Sequence, residues 1–253
     1  MKYPLALPAL YLAAHLLAPV SLTAQSTGPT PFPDAADSSS WPGKGPTKVY
    51  PYMTDNRKYF WDKRSDSQGA VVFVGDSLIG NWAQAKVPTN KAFPQLKLVV
   101  NRGIGGDTSR GVLFRFQEDV LDLHPTAIVI LVGTNDLSAH GKPEDTISNL
   151  TELIDAARKA TPGIPLVLCT IPPRDVPKAP IDHSKLVELN ERIATLGKEK
   201  ENVAVLDLFS LLANSDGKPT PEFFRADQIH LSDAGYEKFA EAISKIFEQQ
   251  KVK

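Results

Sequence analysis

The chain has 253 residues, enough for one domain of ordinary size, and 42% of them are hydrophobic, which is enough to form a proper core. Its 28 lysines and arginines are balanced by 29 aspartates and glutamates, so the formal net charge is -1. Because no basic run is present, binding to nucleic acid or to an anionic membrane is not indicated, and a small neutral or weakly charged substrate is favoured.

The first 24 residues have the pattern of an export signal. Lys2 precedes a long apolar stretch, and the small side chains up to Ala24 are typical of a signal-peptidase site. A retained membrane anchor is the alternative, but three prolines and His15 would interrupt a spanning helix. We therefore expect cleavage near Ala24 and a secreted or periplasmic mature protein with no stable membrane insertion.

Residues 25–48 are rich in proline, serine, glycine and aspartate. Such a composition cannot bury enough apolar surface to offset the entropy lost on ordering, so we expect a linker or an arm draped over the surface. Aromatic side chains return in residues 49–67, which are predicted to pack as a helix or cap at the start of a domain spanning residues 49–253.

From Ala70 onward, short apolar runs alternate with longer segments of helical periodicity. This alternation is typical of strands that are covered on both faces by crossover helices. Five runs have the length of a central strand; they are residues 71–74, 96–100, 127–132, 165–170 and 203–206. The sequence thus predicts an α/β fold with a five-stranded parallel sheet.

Apolar residues recur at helical spacing in four segments of the same region. These segments are residues 112–121, 147–157, 186–196 and 236–246. Pro143 lies at the entry to the second helix, and Ser232 is a plausible N-cap of the last one. The last helix is expected to hold the C-terminus on the sheet.

Cysteine and histidine usage does not indicate a metal. Cys169 is the only cysteine, which excludes an intrachain disulfide and a thiolate cluster, and its place in an apolar run predicts a buried, inert thiol. His124, His140 and His183 are scattered and have no paired ligand spacing. We expect neither a metal nor another cofactor.

Polar and glycine-rich fragments directly follow the first three predicted strands. Ser77 ends "VVFVGDS", Gly106 lies in "NRGIGGDT" and Asn135 lies in "VILVGTND". Because the carboxyl ends of parallel strands share one edge of a sheet, these residues should meet there. With Asp227 and His230 near the C-terminus, they provide a nucleophile, a base, an orienting carboxylate and oxyanion donors, which acyl transfer from an ester requires.

Four blocks in this order resemble the SGNH, or GDSL-type, hydrolase family. They are "GDSL" at 75–78, "NRGIGGDT" at 101–108, "GTND" at 133–136 and "DQIH" at 227–230. The segment "GIGGDTSR" at 103–110 is most similar to the platelet-activating-factor acetylhydrolase-like branch. The resemblance implies a flavodoxin-like three-layer α/β/α sandwich, whereas the Gly-x-Ser-x-Gly elbow of α/β-hydrolases is absent.

The resemblance also implies a role for each residue. Ser77 would be the nucleophile, His230 its base, and Asp227 the carboxylate that holds the imidazole tautomer. The oxyanion hole would consist of the backbone amides of Ser77 and Gly106 and the side-chain amide of Asn135. Taken singly, Ser77 is also compatible with a helix N-cap, and Asp227 and His230 with a solvated loop.

Several further residues are predicted to serve the site. Arg174 after the fourth strand, Trp82, and the adjacent Phe223 and Phe224 are candidate substrate-binding residues, with a solvated arginine and core aromatics as the alternatives. Polar residues within the blocks are expected to brace the loops; they are Asp76, Asp107, Thr108 and Arg110.

Together, these features predict an exported serine esterase that removes an acetyl or other short acyl group through an acyl-enzyme. The expected substrate is a small ester or an acetylated glycan. A lipid-directed esterase, lysophospholipase or thioesterase is one alternative. A catalytically silent binding protein with the same fold is another, because a fold alone does not establish activity.

Overall fold

A computed structural model of the protein describes residues 27–176 and 180–252. The predicted signal peptide, residues 1–24, lies outside the described residues. Within those two described ranges, no helix combines the length and the hydropathy needed to cross a bilayer.

Five strands of the described chain form one parallel sheet in the order β2-β1-β3-β4-β5. They are β1 (Val71–Gly75), β2 (Val99–Gly103), β3 (Ala127–Leu131), β4 (Leu166–Cys169) and β5 (Val203–Leu206). The predicted five-stranded parallel sheet is confirmed. All residues of β1 and β3 are buried, which explains why these strands read as continuous apolar runs.

The second strand begins later than its apolar run suggests. The N–H of Leu96 donates to the carbonyl of Phe93 at 3.0 Å, so this part of the chain forms a turn. Pairing with β1 starts where the N–H of Val71 donates to the carbonyl of Leu98 at 2.9 Å. Leu96 is nevertheless buried in the core, so its apolar side chain extended the run beyond the strand.

Helices cover both faces of the sheet. They are α1 (Pro51–Asp62), α2 (Ser77–Gly80), α3 (Ser109–Asp119), α4 (Thr134–Ser138), α5 (Pro143–Ala160), α6 (His183–Glu199), α7 (Leu208–Leu212) and α8 (Asp233–Gln250). The helices α3, α5 and α6 pack side by side, whereas α8 packs through Phe247 on Phe73 of β1. This arrangement and the strand order confirm the flavodoxin-like three-layer sandwich.

Local signals place the ends of the longer helices. Pro143 occupies the first turn of α5, and the hydroxyl of Ser232 accepts a hydrogen bond from the N–H of Gly235 at the start of α8. The four predicted helices correspond to α3, α5, α6 and α8. The helices α2, α4 and α7 have only four or five residues, too few to show a helical period.

The segment before α1 lies on the domain as an arm. The guanidinium of Arg110 on α3 donates to the carbonyls of Ser38, Pro42 and Gly45, at distances from 2.7 to 3.1 Å. Trp41 of the arm is 5% exposed and packs in an aromatic cluster with Phe32 and Phe114. One buried arginine and three rings therefore hold a segment whose composition is otherwise typical of a linker.

Candidate active site

Ser77 lies at the carboxyl end of the central strand β1. It is the first residue of α2, and the carboxylate of Asp76 caps this helix by accepting a hydrogen bond from the N–H of Leu78 at 2.9 Å. The chain therefore turns sharply out of the strand, and the half-buried Ser77 hydroxyl lies at the edge of the sheet where ligands bind in open α/β folds.

His230 and Asp227 share one short loop before α8. The N–H of Arg225 donates to the carbonyl of His230 at 2.8 Å, and the N–H of Gln228 donates to the carbonyl of Arg225 at 2.9 Å, which closes the loop. This loop places Nε2 of His230 at 2.9 Å from Oγ of Ser77. The other ring nitrogen, Nδ1, lies 2.8 Å from Oδ2 of Asp227.

The charge of Asp227 determines the tautomer of the imidazole. Partial burial raises the pKa of Asp227, but hydrogen bonds from the His230 ring and from the N–H groups of His230 and Ile229 outweigh it and lower the pKa to about 2. Asp227 is therefore a carboxylate at neutral pH and can only accept from Nδ1–H. Nε2 is left as the acceptor for the Ser77 hydroxyl.

The predicted oxyanion donors follow the carboxyl ends of β1, β2 and β3, at the same edge of the sheet as this hydroxyl. Ser77 begins α2, so its N–H is one of the first helical N–H groups, which have no acceptor within the helix. Gly106 has a positive φ of 77°, which turns the loop after β2. Asn135 donates one proton of its Nδ2 to the carbonyl of Asp107 at 2.9 Å, and this bond orients the amide so that its second proton can serve a ligand.

Residues 73–238 match the GDSL-like lipase/acylhydrolase family. The chain belongs to this family. The platelet-activating factor acetylhydrolase IB subunit alpha2 of Rattus norvegicus is 26% identical over 200 residues, which are 78% of this chain and 84% of that protein. Membership of a GDSL-type acylhydrolase family makes the protein an ester hydrolase, as the sequence predicted.

Solved structures of the GDSL type share the fold. A GDSL-like lipase from Bacteroides thetaiotaomicron has a TM-score of 0.65 at 23% identity, covering 75% of this chain and 97% of that one. An acetyl xylan esterase has a TM-score of 0.59 at 22% identity, covering 70% of this chain and 98% of that one. The family assignment and the sheet topology thus agree.

A buried arginine connects the loop of residues 104–108 to β1; this loop carries the predicted oxyanion donor Gly106 and is named the oxyanion loop for that prediction. Arg115 on α3 is fully buried, and its Nε donates to Oδ2 of Asp107 at 2.8 Å. Its Nη2 donates to the carbonyl of Gly75 at 3.1 Å, and its Nη1 donates to Asp119 at 3.2 Å. Sequence reasoning missed Arg115, although its position between the apolar Val112 and Phe116 on one turn of α3 was a signal.

A second buried contact connects α4, which carries Asn135, to the start of α3, just after the loop that carries Gly106. The carboxylate of Asp136 accepts hydrogen bonds from the N–H and the hydroxyl of Ser109, at 3.0 and 2.6 Å. Burial raises the pKa of Asp136, and these hydrogen bonds lower it in part. Asp136, which is 1% exposed, therefore holds α4 against the start of α3.

Two more buried carboxyls lie under the site. Burial raises the pKa of Asp76 to about 7, although the cap hydrogen bond from Leu78 opposes the shift. Burial also raises the pKa of Asp107, to about 6, against the favourable charge of Arg115. Both residues and Thr108, which caps α3, brace the loops as predicted from their residue types.

The prediction that Trp82 lines the substrate cleft is wrong. Trp82 is 1% exposed, and its ring stacks on Tyr236 at 5.1 Å and contacts Phe239 of α8. Its Nε1–H donates to the carbonyl of Val87 at 3.2 Å, which satisfies the indole within the protein. Trp82 is thus part of the core between the sheet and α8.

The aromatic pair before Asp227 is also part of the packing. Phe224 is 5% exposed and belongs to the main core, but it also lines a cavity with Arg225 and Gln228, so its contact with substrate stays a prediction. Phe224 pairs with Leu231 in an isolated antiparallel bridge. Phe223 is partly buried against the same core, and a contact of Phe223 with substrate stays a prediction.

Arg174 lies next to the helix that carries Asn135. Its guanidinium donates to the hydroxyls of Thr134 and Ser138 on α4, at 3.2 and 2.6 Å. It is partly exposed, and burial lowers its pKa whereas Asp76 raises it. Arg174 therefore lies at the rim of the site, where binding of substrate stays a prediction.

Two tyrosines that sequence reasoning missed lie against the oxyanion loop. The hydroxyl of Tyr52 donates to the carbonyl of Gly105 at 3.1 Å. The ring of Tyr50 stacks on that of Tyr52, with the centroids 5.4 Å apart. The cluster of aromatic residues at the start of the domain was the signal, but it predicted only packing.

Proposed function

We propose that the protein hydrolyses acetyl and other short-chain acyl esters through an acyl-enzyme on Ser77. The observation that carries this proposal is the continuous line of hydrogen bonds from Ser77 through His230 to Asp227, at 2.9 and 2.8 Å. A nucleophile, a base and an orienting carboxylate in this geometry form a catalytic triad.

Acylation begins with the attack of Oγ of Ser77 on the ester carbonyl carbon. The hydroxyl proton passes to Nε2 of His230, and the imidazolium is stabilised by the carboxylate of Asp227. The oxyanion accepts hydrogen bonds from the N–H groups of Ser77 and Gly106 and from Nδ2 of Asn135. Collapse breaks the bond to the alcohol oxygen, which takes the proton from Nε2 and leaves as the free alcohol.

Deacylation repeats these steps with water as the nucleophile. His230 removes a proton from the water while the water oxygen attacks the acyl carbon, and the same three donors bind the second oxyanion. Collapse then breaks the bond to Oγ of Ser77, which regains its proton from His230. The products are a carboxylic acid and the resting enzyme, so no cofactor is required for the cycle.

The preferred substrate in this proposal is an acetyl ester of a carbohydrate. One sequence relative is named a platelet-activating factor acetylhydrolase, and one structural neighbour is an acetyl xylan esterase. Both names refer to an acetyl group. The export signal proposed for residues 1–24 brings the enzyme to extracellular glycans. Export is tested by expressing the full chain and sequencing the N-terminus of the exported protein, which should begin near Gln25.

A lipid-directed esterase is the second candidate, favoured by the similarity to the platelet-activating factor acetylhydrolase subunit. The two candidates differ in the binding of the acyl group. A preference for p-nitrophenyl esters with chains longer than about six carbons requires an apolar acyl groove, whereas a preference for acetate indicates a closed pocket. A catalytically silent binding protein would not need the complete chain of hydrogen bonds from Ser77 through His230 to Asp227.

The esterase proposal is tested with p-nitrophenyl acetate and a fluorophosphonate probe. Ser77→Ala should abolish both turnover and labelling, because the hydroxyl is the atom that becomes acylated. Ser215→Ala, at an exposed loop serine, is the matched control and should match the wild type. Undiminished turnover by the Ser77→Ala variant would refute the proposal.

A further inference from the structure

Two tyrosines form an exposed aromatic platform at the start of α1. The rings of Tyr50 and Tyr52 stack with an interplanar angle of 9° and a centroid distance of 5.4 Å. The two residues are 41% and 46% exposed, respectively. The two nearly parallel rings therefore form one flat aromatic surface that is partly exposed.

The tyrosine platform contacts the oxyanion loop directly. A Cβ atom placed on Gly106 would lie 2.9 Å from Cε2 of Tyr50 and 3.1 Å from the hydroxyl of Tyr52. The same Tyr52 hydroxyl donates to the carbonyl of Gly105 at 3.1 Å. The rings thus adjoin the residue whose N–H binds the oxyanion, so an ester held there has its substituents within reach of the platform.

The platform is held in place before any ligand binds. Pro51, between the two tyrosines, begins α1, and Met53 and Arg57 of this helix are buried. Arg57 forms an ion pair with Asp119 of α3 at 3.4 Å. A ligand that stacks on the platform therefore spends little binding free energy on ordering the protein side chains.

We propose that the tyrosine platform is a subsite for the sugar ring of an acetylated carbohydrate. A pyranose has an apolar C–H face and a rim of hydroxyls, and a tyrosine presents a flat apolar face with a hydroxyl at its edge. A flexible acyl chain is bound better in a groove than on an open, flat pair of rings. This inference rests on the proposed esterase function and assigns its alcohol specificity to Tyr50 and Tyr52.

The test compares two acetyl esters that differ in their alcohol, an acetylated methyl xyloside and ethyl acetate. Hydrolysis of each ester is measured by titration of the released acid. For Tyr50→Ala, kcat/KM for the xyloside should fall about tenfold more than kcat/KM for ethyl acetate, chiefly through KM. Tyr50→Trp should restore the xyloside activity, because it keeps a flat ring. Tyr59→Ala, which removes a 61% exposed tyrosine from the far end of α1, should match the wild type on both esters.

Direct binding separates this inference from the esterase proposal. Calorimetry with the acetylated xyloside on Ser77→Ala, and on Ser77→Ala combined with Tyr50→Ala, should show a Kd about tenfold higher for the double variant. Equal losses on both esters would overturn the subsite, since Tyr50 would then act only by supporting Gly106. A loss confined to long-chain esters would overturn it in favour of an acyl site. If wild type hydrolyses neither ester, the esterase proposal fails, and the calorimetric comparison alone decides the subsite.

Discussion

The guanidinium of Arg115 and the carboxylate of Asp107 form a fully buried ion pair, 2.8 Å apart, directly beneath the oxyanion loop. The main chain of Asp107 follows Gly106, and its carbonyl accepts the hydrogen bond that orients Asn135. Through Asp107, Arg115 therefore positions Gly106 and Asn135, two of the proposed oxyanion donors. A buried ion pair of this kind is costly to break because the remaining charge loses its partner.

Arg115→Lys should both destabilise the protein and slow catalysis. A lysine cannot reproduce the separate bonds to Asp107, Asp119 and the Gly75 carbonyl, so we expect a loss of about 3 kcal/mol in the free energy of unfolding. At a temperature where the variant is folded, kcat should fall more than KM rises. Chemical denaturation and steady-state kinetics measure the two effects. The surface variant Arg192→Lys is the control, and a normal kcat in folded Arg115→Lys would rule out the positioning role.

Gly106→Ala should be much more damaging than Gly105→Ala. Gly106 has a φ of 77°, and a Cβ there would lie 2.9 Å from the Tyr50 ring, whereas a Cβ on Gly105 would lie 3.8 Å from Cβ of Ser77. The strain should cost about 1 kcal/mol of stability and displace the oxyanion N–H, lowering kcat by about 10²-fold. Thermal unfolding and kcat are the measurements. Similar effects of the two alanines would contradict this geometry.

The sequence predicted those parts of the fold in which a residue pattern fits only one type of secondary structure. The apolar runs of β1 and β3 are buried on both faces, and α5 and α8 show a clear helical period after a capping residue. Ser77 could be placed at the edge of the sheet because it follows such a strand. Asp227 and His230 lie in a loop before α8, and only the resemblance of "DQIH" to the family block selected them. The error at Leu96 has the opposite origin, since a leucine buried in a turn and a leucine buried in a strand look alike in the sequence.

The parts that could not be predicted depend on where distant segments meet. Trp82 follows a four-residue helix that has no readable period, so its burial against α8 was not visible. Tyr50 meets Gly106 at the start of α1, whose position depends on the ion pair of Arg57 with Asp119 of α3, and the sequence does not reveal that pairing. Arg115 was missed because arginine is usually exposed, and its position between the apolar Val112 and Phe116 was the only sign that it is buried.

Asn135→Ala should lower kcat by about 10²- to 10³-fold with little change in substrate binding. The side-chain amide is proposed to bind the oxyanion, which exists only after attack, so its loss weakens the transition state more than the ground state. Steady-state kinetics on p-nitrophenyl acetate separates kcat from KM. Asn135→Asp is a matched variant of the same shape without the donor, and it should be at least as slow. A change confined to KM would place Asn135 in substrate binding instead.

Asp227→Asn should lower kcat by up to about 10⁴-fold, because a neutral amide no longer selects the tautomer with the proton on Nδ1. It should also change stability at acid pH. The folded-state pKa of Asp227 is lowered from 3.8 to about 2, so its stabilising effect is present above about pH 4 and is lost as the pH falls through 2. The difference in the free energy of unfolding between wild type and variant should shrink over that window. A constant difference would exclude the proposed linkage.

Asp76→Asn should give the opposite pH dependence. The folded-state pKa of Asp76 is raised from 3.8 to about 7, so above about pH 4 the unfolded chain loses a proton that the folded protein retains. The free energy of unfolding of wild type should therefore fall between about pH 4 and pH 7, by up to about 4 kcal/mol relative to the variant. Asparagine keeps the oxygen that accepts from the Leu78 N–H and cannot ionise.

The prediction for Asp76 concerns how the difference in the free energy of unfolding between wild type and Asp76→Asn changes with pH. The size of that difference at one pH does not test it. In the Asp76→Asn variant, the new amide nitrogen would occupy the place of Oδ2, which has no hydrogen-bond partner among the described residues. The unpaired amide therefore lowers the free energy of unfolding by an amount that does not vary with pH. Asp216→Asn, at an exposed loop, provides the reference for removing a carboxyl group from the surface. Parallel stability curves for wild type and Asp76→Asn would show that Asp76 is ionised in the folded protein, in which case the aspartate beside the nucleophile adds a negative charge under Ser77.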